Sequence, residues 1–249
     1  MRLVLCLIAA AMLSATTSST RADEIKLMSI NAVKEPLVEL IAAFEKDTGH
    51  KVTLIGGGTE SVTKRVADGE IVDIVIVAPR SIDRLTEQGR LSAASRKVFA
   101  KTGIGIAVRP GVERPDVSSA DAVKNAILAA KSVSYSTGAS GIYLADLFAK
   151  MGIGDAVKAK LVQPPSGAPV GGLLARGEVD LGFQQASELA HMPGIQYLGP
   201  LPPEIQHVTA YGISLHSAAP SAEAAKKLLE ALTGPAGAAT IRKHGMEPG

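Results

Sequence analysis

Cysteine and tryptophan are nearly absent from this chain, which has one cysteine (Cys6) and no tryptophan in 249 residues. A lone cysteine excludes a disulfide framework and a thiolate metal centre. Aromatic residues are scarce too, with four phenylalanines and four tyrosines, and no run of basic residues accompanies them. That combination removes nucleic acid as a partner, because stacking platforms and a basic stripe are both missing. The five histidines (His50, His191, His207, His216 and His244) include no pair at i, i+3 or i, i+4, so no helix-borne metal site is expected. No G-x-S-x-G elbow, P-loop or dinucleotide fingerprint occurs, and Gly103-Ile104-Gly105 is only a glycine-punctuated strand. Ser140, within Gly138-Ala139-Ser140-Gly141, has no histidine or aspartate placed beside it by the sequence. The chain therefore reads as a non-enzyme with no catalytic residue, no metal and no cofactor. An exported hydrolase is the weakest of the alternatives.

What is present begins at the N-terminus. Arg2 precedes the apolar run Leu3 to Leu13, and Thr20-Arg21-Ala22 places small residues at the −3 and −1 positions of a cleavage site. This is the layout of a secretory signal peptide over residues 1–22, cleaved after Ala22, and it predicts a periplasmic protein. The apolar run is too short to span a bilayer, which takes ~20 residues. Cys6 precedes most of that run, the wrong side for a lipid-modified cysteine. Without Arg2 and Arg21, the 26 basic residues become 24, matching the 24 acidic ones. The formal charge of +2 thus belongs to the leader and points to no anionic partner surface.

Beyond the leader, short apolar runs alternate with amphipathic stretches. Glu24 to Met28 reads as a strand, and Leu37, Leu40, Ile41 and Phe44 form one face of a helix ended by Gly49. Lys51 to Ile55 is a second strand, and Ile71 to Val77 is apolar enough to be buried on both faces. Thr102 to Val108 and His207 to Leu215 are strand-like and bracket a segment with its own alternation. Inside it lie Lys131 to Tyr135, a helix from about Ile142 to Met151, Lys160 to Gln163, a helix from about Val170, and Asp180 to Gln184. The chain closes with helices over Ala222 to Leu232 and around Ala236 to His244. The order predicts a two-lobed α/β fold, each lobe a mainly parallel sheet flanked by helices, joined by two crossover strands. The first lobe takes residues 23–103, the second 104–206, and residues 207–249 return to complete the first.

Four strand-to-helix junctions carry small or polar residues. They are Ser29-Ile30-Asn31-Ala32, Gly58-Thr59-Glu60-Ser61, Thr137-Gly138-Ala139-Ser140-Gly141 and Gly167-Ala168-Pro169-Val170. Each alone is an ordinary helix cap or turn. Four of them facing one cleft offer backbone N–H groups and hydroxyls to an anion. Lys64, Arg65 and Arg80 read as solvated helix faces, and Tyr143 and Tyr211 as packing or hinge residues.

Five stretches carry a family resemblance: LMSINAVKEPLVELIAAFEKDTGHKV, VADGEIVDIVIVAPRSIDRLTEQGRL, ASGIYLADLFAKMGI, LLARGEVDLGFQQASEL and LTGPAGAATIRKHGM. In order and spacing they resemble the class II periplasmic solute-binding proteins, and among them the molybdate-binding proteins of ABC importers. The resemblance implies the same two-lobed fold and a small anionic solute held between the lobes. It also implies an ABC permease in the inner membrane as partner. An exported sensor or adhesin of the same fold is the alternative. The implied ligand-binding set is Ser29, Asn31, Ala32, Gly58, Thr59, Ser61, Ser140, Gly141, Pro169 and Gln185. Two positions depart from the family: Ala32 stands where a serine contacts the anion, and Gln185 where a tyrosine does. An amide donates and accepts, so the ligand expected is either a molybdate-like oxyanion or a small organic acid.

Overall fold

The computed structural model describes residues 22–249, so the predicted leader lies, but for Ala22, outside the described residues. Strands β1 (Glu24–Ile30), β2 (Lys51–Gly57) and β3 (Ile74–Val77) run parallel. They are linked by α1 (Lys34–Thr48) and α2 (Thr59–Ala67). Helix α3 (Pro79–Glu87) then leads to β4 (Lys97–Thr102). The chain crosses into a second sheet at β5 (Ile104–Val108), followed by α4 (Ala120–Ala129) and β6 (Val133–Tyr135). Next come α5 (Ala139–Lys150), α6 (Gly154–Lys158), α7 (Val170–Ala175), β7 (Leu181–Gln185), α8 (Ala186–Leu189) and β8 (Gln196–Pro200). Strand β9 (Thr209–Leu215) returns to the first sheet, which α9 (Ala222–Thr233), α10 (Pro235–Lys243) and β10 (Glu247–Pro248) complete. The first sheet has the order β10-β4-β9-β3-β1-β2 and the second β6-β7-β5-β8, giving the two lobes.

Patterning explains the first lobe. Leu37, Leu40, Ile41 and Phe44 are all buried against the sheet, and α1 stops where Gly49 takes φ +75°. That left-handed conformation costs glycine nothing and another residue about 1 kcal/mol or more. Every residue of β3 is buried, as its unbroken apolar run predicts. The buried carboxylate of Asp73 ties the lobe together by accepting from the backbone N–H groups of Lys26 (2.8 Å) and Ser221 (2.7 Å). A separate core built on Ile104, Ile106, Val123, Ile127, Phe148 and Phe183 holds the second lobe. Among the described residues, no helix is long and apolar enough to cross a membrane.

Three expectations need correction. The sheets are mixed, not mainly parallel: β9 runs antiparallel to β3 and β4, and β5 antiparallel to β7 and β8. Parallel neighbours need a helical crossover, whereas strands that pass directly between lobes re-enter against their neighbours. The stretch Thr102 to Val108 is not one strand, because Gly103 divides it between two sheets. A Cβ at Gly103 would fall 2.9 Å from the Gln206 amide, which accepts from Ile104 N–H and donates to Ile104 C=O. Lys160 to Gln163 contributes a single bridge, between Leu161 and Val133, and no strand.

Candidate functional site

Three junctions carry the walls of an interlobe chamber of about 60 Å³. Helix α2 starts after Gly58 and α5 after Gly138, neither with a side-chain cap, so their first N–H groups are left for a guest. The third wall is the 3₁₀ turn Asn31–Val33 that follows β1. Glycine is demanded at two of these places by close approach. A Cβ on Gly141 would lie 1.6 Å from the Ser136 carbonyl oxygen, so this glycine lets the Ser136 loop fold back onto α5. A Cβ on Gly58 would lie 2.8 Å from the backbone nitrogen of Gly167, in the loop before α7. The two lobes therefore touch backbone to backbone. Asn31 Nδ2 donates to the Gly167 carbonyl (2.9 Å), and Ser187 Oγ to the Ala32 carbonyl (2.7 Å), across the same cleft.

Six of the ten expected residues line the chamber: Asn31, Ala32, Gly58, Thr59, Ser140 and Gln185. Four are set apart from it. Ser29 is buried in β1, donates to the Ile30 carbonyl, and borders a different hollow beside Lys34 and Leu54. Ser61 is on the exposed side of α2, Gly141 packs on Ser136, and Pro169 precedes α7 as its cap. Gln185 borders the chamber, but its amide is already engaged. Oriented to satisfy its neighbours, it donates to the Thr102 and Gly103 carbonyls (3.3 and 3.0 Å) and accepts from the Thr209 and Tyr211 hydroxyls (3.2 and 2.9 Å). It clasps the two crossovers to each other. Ser140 Oγ faces Ser136 Oγ at 2.9 Å.

The residues that sequence reasoning missed are Glu188, Gln184, Ser136 and Ser166, with Tyr211, read as a hinge residue, also reaching the wall. Among the described residues, no lysine, arginine or histidine lines the chamber; its charged side chains are Glu60, exposed at the mouth, and Glu188. Gln184 accepts from Val170 N–H (2.8 Å) and donates to Glu188 Oε1 (2.7 Å), which fixes both side chains. Packed protein strips most water from Glu188, and this burial pushes its carboxyl up to about 7, against the smaller opposing effect of the Gln184 bond. Tyr211 is raised well above its ordinary range, first by burial and then by the neighbouring Glu188 charge. The one trace of this cluster in the sequence is the polar run that abruptly ends an apolar strand, LGFQQASE.

A vestibule of about 930 Å³ adjoins the chamber. Both are lined by Thr59, Glu60, Thr137, Gly138 and Ala139. Lys64, Arg80, Arg84 and His207 supply its basic side chains, and Asp68 and Asp146 join Glu60 as its acids. Lys64 is paired with Asp68, while Arg65 turns away to Glu70. Tyr143 stacks on His207 (4.6 Å between ring centres) and donates to the Ile205 carbonyl.

Residues 25–247 match the model of a family described as bacterial extracellular solute-binding protein. The chain is 35% identical over 228 residues to an aconitate isomerase of Pseudomonas sp, covering 89% of this chain and 87% of that protein. It is 27% identical over 173 residues to the molybdate-binding protein ModA of Azotobacter vinelandii, covering 69% of this chain and 68% of the relative. Among solved structures, the periplasmic molybdate-binding protein of Azotobacter vinelandii superposes with a TM-score of 0.77 at 20% identity, over 89% of this chain and 98% of that one.

Proposed function

Because the chain belongs to the bacterial extracellular solute-binding protein family, we propose that it is a periplasmic receptor whose lobes close on a small organic polycarboxylate. In this reading residues 1–22 direct export, residues 23–103 with 207–249 form one lobe and residues 104–206 the other. The loaded form then docks on an ABC permease in the inner membrane. The N–H groups after Gly58 and Gly138, with the hydroxyls of Thr59, Thr137 and Ser140, hold the anionic groups.

Glu188 carries the choice of ligand. An ionised carboxylate in the wall of this chamber repels any anion, inorganic or organic, so the acid form of Glu188 is the one that admits a ligand. A carboxyl that keeps its proton near neutral pH instead donates a short, charge-assisted hydrogen bond to a ligand carboxylate. The adjoining vestibule, which shares five lining residues with the chamber, leaves room for a molecule longer than a tetrahedral oxyanion. The relative named aconitate isomerase, alike over most of both chains, supports a tricarboxylate of that kind. The same carboxyl favours a second reading, in which the bound acid is rearranged as well as held.

Calorimetric titration at pH 6.5 tests this, with cis-aconitate, trans-aconitate, citrate, molybdate and tungstate as ligands. One or more of the tricarboxylates should bind with micromolar or tighter dissociation constants, molybdate and tungstate at least 100-fold more weakly. Tight binding of molybdate or tungstate with no heat from the organic acids would overturn the reading.

A further inference from the structure

Resting on the polycarboxylate reading, we propose that the cleft is also a catalyst: Glu188, fixed by Gln184 in the chamber wall, moves a proton between the two ends of the allylic system of an unsaturated tricarboxylate.

Anion binding uses only the protonated form of Glu188. For anion binding alone, a glutamine at position 188 would keep the contact with Gln184 without the charge. The structure instead builds a support for an acid. Val170 N–H holds Gln184, Gln184 holds Glu188 Oε1, and Oε2 has no protein hydrogen-bond partner among the described residues. A carboxyl group with one oxygen anchored and the other bare, on the wall of a chamber, has the geometry of a general base. Its burial brings the proton affinity close to neutral pH, where base and conjugate acid are both available. The groups facing it offer no rival. Tyr211 donates its hydroxyl proton to Gln185 and is held above its ordinary range, and Glu60 is solvated at the mouth.

The step balances without any further reactant. Ionised Glu188 takes a proton from the methylene carbon between a carboxylate and the alkene. The electron pair of that C–H bond spreads over three carbons and onto the carboxylate at the far end. The far carbon then takes the proton back from Glu188. One C–H bond breaks and one forms, the double bond shifts by one carbon, and the Glu188 carboxylate is regenerated. Negative charge grows on ligand carboxylates that the N-termini of α2 and α5 and the hydroxyls of Thr59 and Thr137 already face.

The test uses protein exported from the full chain, with cis-aconitate as probe, in D₂O buffer followed by proton NMR. Wild type should bind it, exchange its methylene and vinyl hydrogens for deuterium, and form the trans isomer. Glu188→Gln should bind equally well or better while exchange and isomerisation fall about 100- to 10,000-fold. For wild type, kcat should rise with pH through the Glu188 titration while KM rises too, since the ionised base opposes the anion. Binding without exchange or isomerisation in wild type overturns the catalytic inference and leaves the receptor standing. Turnover in Glu188→Gln within tenfold of wild type also overturns it. Absence of any tricarboxylate binding overturns both. The exchange measured on wild type decides the matter even if the variant fails to fold.

Discussion

The inner chamber and the outer vestibule of one cleft differ in their electrostatics. Among the described residues the chamber has no basic side chain and one desolvated acid, and it offers the N–H groups of two uncapped helix starts. The vestibule has three lysines and arginines against three acids, in contact with water. A dipole pre-aimed in a dry pocket needs no reorganisation and discriminates by geometry. A solvated charge acts at a distance, weakly and with little regard to shape. Selectivity and chemistry should therefore depend on the inner wall, and capture rate on the outer one.

The sharpest way to separate the two is Glu188→Gln, read as stability against pH. A carboxyl raised to about 7 in the folded state binds a proton more tightly there than in the unfolded chain. Its contribution is complete below the unfolded value near 4.5 and is lost as pH climbs through about 7. Glutamine avoids that loss. The variant should match wild type at pH 4 and exceed it at pH 8 by at most about 3 kcal/mol, several degrees in Tm. Thermal melts at the two pH values check this; an equal difference at both would show that Glu188 does not titrate in this range.

Next in size is the contact that closes the chamber. Gly58 has φ −81°, which alanine adopts freely, so Gly58→Ala leaves its own lobe intact. The added Cβ meets the Gly167 nitrogen at 2.8 Å and its Cα at 2.9 Å, both backbone atoms of the opposite lobe. The lobes can relieve that overlap only by parting. Affinity should fall about tenfold, equivalent to ~1.4 kcal/mol, with Tm of the free protein unchanged or slightly raised. Calorimetry beside a thermal melt distinguishes this from general destabilisation, in which both would drop.

The same contrast governs how much was legible beforehand. The stripe Leu37, Leu40, Ile41 and Phe44, the stop at Gly49 and the apolar β3 are local patterns, and helix or strand period reveals them. The glycine-rich starts of α2 and α5 are local as well, which is why the sequence singles out Gly58, Thr59 and Ser140, all of which line the chamber. Glu188 is not singled out, because its raised proton affinity comes from burial by the assembled fold, which no local sequence pattern records. Gln185 shows the reverse case. It borders the chamber, yet its amide is taken by Thr102, Gly103, Thr209 and Tyr211, partners that only the crossing of β4, β5 and β9 brings together. Sheet direction escapes the sequence for a related reason, since strand sequences record burial and not the sense in which a neighbour runs.

The smallest expected effect belongs to the vestibule. Arg80 and Arg84 are exposed on its wall, while Lys64 is already paired with Asp68. Removing both arginines takes positive charge from the approach without touching a donor of the chamber. Exposed charges steer by long-range attraction, which salt screens over a Debye length of about 8 Å at physiological ionic strength and about 3 Å at 1 M. The Arg80→Ala, Arg84→Ala double variant should therefore associate with its ligand a few-fold more slowly in low salt and at the wild-type rate in 1 M salt. Its dissociation rate should not change, because the chamber that sets it is intact. Stopped-flow fluorescence of a probe-labelled protein measures both rates. A faster dissociation would place one of these arginines on the bound ligand, and the division of labour between the two halves of the cleft would have to be redrawn.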